Sequence, residues 1–163
     1  MIPRYHLQKK EREIKEPKEL LAIIKKGKYT TIAMCKNNEP YPYIVTLSYG
    51  YDEIKNALYF HSRQKGLKCE FIKNNPHICA TIIEDRGYIM NDCAHEFRSV
   101  IIWGNMYLVE TLEEKKHAMN ILLYHLEENP DKIKQESLSN DKIYRNLGML
   151  RLDIIEINGK WGR

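Results

Sequence analysis

A chain of 163 residues, 43% hydrophobic and 29% charged, has the make-up of one folded globular domain over 1–163, which excludes a disordered chain. No apolar run approaches the roughly 18 residues that span a bilayer, and the polar stretch Met1–Lys18 holds no hydrophobic signal segment, so a cytoplasmic protein without a membrane partner is expected. The formal charge of +4 is mild and the lysines are spread along the chain, which argues against a nucleic-acid partner and leaves room for a local phosphate pocket.

Pro17, apolar residues at helical spacing and a closing Gly27 predict a short helix over about 17–27. Lys28–Lys36, rich in Thr, Ile and Tyr, reads as a strand that ends in the turn Asn37–Pro40. A return strand over about Tyr43–Tyr51 and a third over Ala57–His61 predict an antiparallel meander. Leu67, Phe71 and Ile72 then fall on one face of a helix over Gly66–Asn74, stopped by Asn75-Pro76. His77–Glu84 and Phe97–Glu110 read as strands on either side of an irregular Asp85–Glu96. Thr111-Leu112-Glu113-Glu114 has capping-box spacing and opens a long amphipathic helix over about 112–128, and Leu150–Ile157 reads as a last strand. About six strands with helices between them and no βαβ alternation predict a mainly β fold, a small antiparallel β-barrel with inserted helices.

Neither G-x-G-x-x-G nor a P-loop occurs. Cys35, Cys69, Cys79 and Cys93 form no C-x-x-C pair, and Cys93-Ala94-His95 with Cys79 lacks regular ligand spacing, so no metal site is expected and the thiols read as reduced. His117 and His125, eight residues apart on the long helix, read as core and solvent positions. The junction after the third strand is the candidate anion site. Ser62, the amides near Gly66 and Lys68 in the first helical turn can together supply the charge and donors that a phosphate needs. Alternatively, Gly66 only ends a loop and Lys68 is a solvated lysine. His61, which titrates near neutral pH, is either a pocket ligand or a half-buried cap on the barrel mouth.

Four ordered pieces carry a resemblance: Glu39-Pro40-Tyr41-Pro42-Tyr43-Ile44-Val45-Thr46-Leu47-Ser48, then Leu58-Tyr59-Phe60-His61-Ser62, then Gly66-Leu67-Lys68, then Arg98-Ser99-Val100-Ile101, with Gly159-Lys160 near the end. Together they resemble the pyridoxamine 5'-phosphate oxidase-like FMN-binding split β-barrel family and, within it, the nitroimidazole-resistance branch. Thr46 stands where that branch has proline, and Leu67 where it has arginine. The resemblance implies a six-stranded antiparallel split β-barrel, FMN as cofactor, and a homodimer that holds two flavins at its interface. It implies an FMN-dependent oxidoreductase that passes electrons from NAD(P)H to a small organic acceptor, with nitroaromatic compounds the class that the branch's name suggests. The flavin phosphate falls to Ser62, Gly66 and Lys68, with His61 lining the pocket. Thr46, Leu47, Ser48 and Tyr49 run along the ring, unless Thr46 and Ser48 simply face solvent with Leu47 in the core. Arg98 and Ser99 belong to the same site or to its symmetry mate, and Trp161 covers a flavin edge or packs. No catalytic acid or base is identified. A non-enzymatic flavin-binding or sensing protein would use the same site, as would an enzyme carrying a deazaflavin or a pyridoxal-type phosphate.

Overall fold

The computed structural model describes residues 7–163, so Met1–His6 of the polar N-terminal stretch lie outside the described residues. The chain runs through β1 (Glu13–Ile14), α1 (Pro17–Lys26), β2 (Tyr29–Met34), β3 (Tyr43–Ser48), β4 (Gly50–Asp52), β5 (Ala57–Ser62), α2 (Leu67–Asn74), β6 (His77–Ile89) and β7 (Ala94–Leu108). It closes with α3 (Leu112–Leu126), α4 (Pro130–Ser137), α5 (Asp141–Asn146) and β8 (Gly148–Gly162). The strands form one antiparallel sheet in the order β3-β2-β6-β7-β8-β5-β4, with β1 added on β8. Eight strands therefore stand where six were expected.

The expected three-strand meander does not form. β3 pairs with β2, β4 pairs with β5, and these two hairpins lie at opposite edges of the sheet, although only Tyr49 separates β3 from β4 in the chain. The two edges must therefore meet at Tyr49, and the sheet rolls up. Among the described residues no ladder joins β3 to β4, so hydrogen bonds do not close the roll into a full barrel. Two contacts explain the crossing. Tyr49 is fully buried and its hydroxyl donates to the Ile24 carbonyl at 2.6 Å, which pins the crossing to α1. At Gly50 a Cβ would lie 2.6 Å from Cα of Leu122, so only glycine lets α3 approach that closely.

Alternation along the strands sets the faces. Thr30, Ile32 and Met34 of β2 and Ile78, Ala80 and Ile82 of β6 point inward, where Ile23 and Ile24 of α1 and Phe71 and Ile72 of α2 join the core. α3 covers the other face of β5, packing Ala118 against Tyr59, Val109 and Met149. Its cap forms as expected, with Thr111 Oγ1 accepting from the Glu114 amide. Glu114 itself does not reach back to complete the box, because its carboxylate is taken by Tyr59 and Arg151.

The remaining differences are bulges and late helices. Asp85–Glu96 is not irregular but the end of a long hairpin, in which a register shift between Asp85 and Tyr88 and positive φ at Gly87, Asn91 and Cys93 absorb the extra residues. β8 runs well past Ile157. A shift opposite Trp103 and Gly104 leaves Ile155 as the extra residue, 56% exposed, which accounts for the broken alternation of that strand. α4 and α5 were not expected. Asn129 and Asn140 cap them by accepting from the amides of Lys132 and Ile143.

Candidate functional site

β5 ends at Ser62 and α2 begins at Leu67, and three of the four residues between them, Arg63, Gln64 and Lys65, line one side of a cavity of about 710 Å³. His61, Ser62, Arg63, Gln64 and Lys65 line it from this side, and Asn146 and Gly148 from the α5–β8 turn. Gly148 allows the two sides to meet, since a Cβ there would lie 2.6 Å from the Arg63 carbonyl carbon and the Gln64 amide nitrogen. Gln64 ties the walls together by donating to the carbonyls of Arg145 and Leu147, at 3.0 and 3.3 Å. Gly66 is the N-cap of α2 at φ 126°, a conformation that L-residues rarely adopt, and a Cβ there would meet nothing within 4 Å. The chain is thus bent at Gly66 toward open space. Beyond the bend the first amides of α2 lack helical partners, which concentrates partial positive charge at this end of the helix.

The junction is rich in cations. Elsewhere some cations are matched, as in Lys25–Glu53, Arg86–Glu84, Lys116–Asp141 and Arg151–Glu114, and others, such as Lys15, Lys55 and Lys142, are not. Arg63, Lys65 and Lys68 belong to none of the ion pairs among the described residues. Two of these cations, Arg63 and Lys65, line the concavity with the Ser62 hydroxyl, and Lys68 follows in the first turn of α2; such a set suits an anion with several oxygens, such as a phosphate.

The other expected site residues fall in two further places. Thr46 and Ser48 point outward from the edge strand β3, with the Thr46 hydroxyl bonded to that of Thr31 at 2.9 Å, and Leu47 packs on the core. Tyr49 does not face a ligand, since its ring is buried and its hydroxyl is committed to Ile24; burial also raises its pKa far above the ordinary phenol range. Arg98, Ser99 and Trp161 sit at the far end of the β7–β8 ladder, where Arg98 pairs with Trp161. His61 pairs with Met149, so twelve residues of β8, roughly 40 Å of strand, separate Trp161 from the junction in the same chain.

Arg98 is itself occupied. Its Nη2 and Nε donate to Glu84 Oε2 at 2.6 and 3.2 Å. Burial pulls the Glu84 carboxyl upward, but the bonds from Arg98, Arg86 and Lys26 outweigh it and hold the group at about 2. Ser99 is buried, and Trp161, 42% exposed, lies near the guanidinium of Arg12. His117 and His125 are both tied: His117 Nε2 to the buried Asp52 carboxylate at 2.6 Å, and His125 Nε2 to the Gly27 carbonyl at 2.6 Å. Arg63, Gln64, Lys65, Asn146 and Gly148 were missed by the sequence reading. The first three were legible as the cationic run between His61 and Lys68, whereas Asn146 and Gly148 arrive from the far side of the chain with no local signal.

Comparisons with known proteins bear on the family and the fold. The pyridoxamine 5'-phosphate oxidase family matches residues 16–161. Among solved structures, a candidate 5-nitroimidazole antibiotic resistance protein from Bacteroides thetaiotaomicron is similar at 25% identity and TM-score 0.75, over 92% of this chain and 87% of the other. A flavocytochrome from Azotobacter vinelandii superposes at TM-score 0.80 and 16% identity, over 98% of this chain and 73% of that one. An FAD-binding protein from Mesorhizobium loti superposes at TM-score 0.63 and 18% identity, over 92% and 96%; at these identities the last two show the shared fold alone. No curated protein matches the chain.

Proposed function

Because the chain belongs to the pyridoxamine 5'-phosphate oxidase family, we propose that it binds a phosphorylated flavin, FMN, at the β5–α2 junction and works as an oxidoreductase. The observation that carries this reading is the 710 Å³ cavity lined by Ser62 and by Arg63 and Lys65, two cations outside every ion pair among the described residues, beside the start of α2 where Lys68 stands in the first turn. Bound there, the flavin would supply electron transfer from NAD(P)H to a small organic acceptor, with nitroaromatic compounds the class suggested by the Bacteroides relative. Ser62, Arg63 and Lys68 hold the phosphate, while His61 lines the pocket beside it.

A second copy of the chain completes the site. Arg98, Ser99 and Trp161 lie at the opposite end of β8 from the residues that pair with the junction, so their contribution is assigned to a partner's site. The outward face of β3, β2 and β6 gives such a partner a surface: Ile44, Thr46, Ala33, Cys79, Thr81 and Ile83 form an uncharged strip in which Ile44 and Ile83 are each 59% exposed. The edge strand β3, with Thr46 and Ser48, lies on that same face and supplies the ring contacts.

Titration of the purified protein with FMN, followed by flavin fluorescence, tests the reading. Lys68→Ala weakens FMN by about 1 to 3 kcal/mol if the ammonium holds the phosphate. An unchanged affinity removes Lys68 from the site, and wild-type protein that binds no flavin ends the proposal.

A further inference from the structure

Behind the loop that carries Arg63, a second cavity of about 270 Å³ opens between the end of β7, the first turn of α3 and the start of β8. It shares Arg63, Gln64 and Gly148 with the junction cavity, so the two adjoin across that loop. Val109, Leu147 and Met149 give it an apolar floor, while Lys73 and Lys115 add two cations to Arg63.

Lys115 is the unusual member. It is only 8% exposed, and its ammonium donates to one neutral acceptor, the Arg145 carbonyl at 2.9 Å, which Gln64 also uses. Among the described residues no carboxylate lies within 4.0 Å of Lys115, Lys73 or Arg63; Glu110, on the cavity wall, is exposed and pairs with none of them. Burying an ammonium without a counter-charge is unfavourable, and its place in the first turn of α3 makes it more so, because the free amides there carry partial positive charge. The end of α5 offsets only part of this through the Arg145 carbonyl. An anion in the cavity would relieve the rest.

We infer that this cavity is a second anion subsite, held by Lys115, Lys73 and Arg63, that takes a phosphoryl group. Its volume, that of roughly nine water molecules, admits a phosphoryl group with a few attached atoms, and a larger ligand must leave through the mouth. The group has two possible sources. It is the second phosphate of a flavin dinucleotide that reaches across Arg63, an arm that rests on the flavin reading above, or it is a free phosphate beside FMN.

The test compares wild type, Lys115→Met and Lys73→Ala. Lys73 is exposed, so its loss leaves folding intact even if the buried Lys115→Met variant does not fold. Dissociation constants for FMN and FAD are read by fluorescence titration, and melting temperature is read with inorganic phosphate against chloride at matched ionic strength. A dinucleotide source makes wild type prefer FAD to FMN, and both variants lose that preference by about tenfold while FMN affinity is nearly unchanged. A free-phosphate source makes FMN and FAD bind alike, and inorganic phosphate raises the melting temperature of wild type but not of the variants. The inference is overturned if wild type shows neither an FAD preference nor a phosphate response, or if either survives both substitutions. Should wild type bind no flavin, the flavin reading falls and the phosphate response alone decides the subsite.

Discussion

Gly148→Ala probes the junction through its backbone. The added methyl would sit 2.6 Å from the Arg63 carbonyl carbon and the Gln64 amide nitrogen, and nearer still to the Ser62 carbonyl, whereas ordinary contact begins at 3.4 Å. All three neighbours are main chain, so no side chain can swing away; the tightest of them, the Ser62 carbonyl, requires the 62–64 segment to move by about 1.1 Å. A hydrogen bond of about 2.9 Å from that segment to a phosphate would stretch to about 4.0 Å, beyond useful length. Losing one charge-assisted bond corresponds to about 2 kcal/mol, or roughly thirtyfold in FMN dissociation constant, along with about 1 to 3 kcal/mol of stability from the overpacking. Fluorescence titration and thermal melting by circular dichroism read the two effects separately. Gly104→Ala is the control, since its methyl would press on Leu152 and the Asp153 backbone in the β7–β8 ladder, away from the junction. It lowers stability and leaves FMN affinity alone. A folded Gly148→Ala protein that binds FMN as wild type does would refute the placement of the phosphate.

Tyr49→Phe leaves the buried Ile24 carbonyl without its hydroxyl donor and lowers stability by about 1 to 3 kcal/mol in chemical denaturation, while FMN affinity stays at the wild-type value. A large loss of FMN affinity would return Tyr49 to the site. Glu84 has a folded pKa of about 2, below its unfolded value of 4.5, so its contribution to stability is complete above about pH 4.5 and is lost as the pH falls toward 2. Melting temperature measured against pH therefore drops across that window, and Glu84→Gln flattens the drop; an identical pH profile in the variant would show that the Arg98 pair contributes nothing.

Local chemistry made much of the fold legible. Pro17 and Gly27 bracket α1, Asn75-Pro76 stops α2, and Thr111 caps α3, each through an interaction confined to a few residues. What the sequence could not show was the crossing at Tyr49. Tyr43–Tyr51 alternates without a break, and the split into two strands at opposite edges depends on Ile24 and on the close approach of α3 to Gly50, partners remote in the chain. Periodicity also fails at a bulge, because one extra residue such as Ile155 reverses the face of all that follow it.

The candidate site divides along the same line. The junction of His61, Ser62, Gly66 and Lys68 was legible because strand end, glycine bend and helix start are consecutive in the chain; His61 and Ser62 line the cavity, and Gly66 and Lys68 begin the helix beside it. Arg98 looked available as an anion ligand, but the register of β6 against β7 sets it directly opposite Glu84, a pairing that no single-strand pattern reveals. Nothing in the local sequence Glu113-Glu114-Lys115-Lys116 marks Lys115 out. It is buried where α5 packs against α3, a contact between elements remote in the chain.

The most direct measurement is to purify the protein natively, denature it and identify the released small molecule by mass. A phosphorylated flavin, recovered near one per chain from wild type and depleted from Lys68→Ala, is the predicted result. Wild-type protein that releases no flavin, and that takes up none when FMN is supplied, would contradict it.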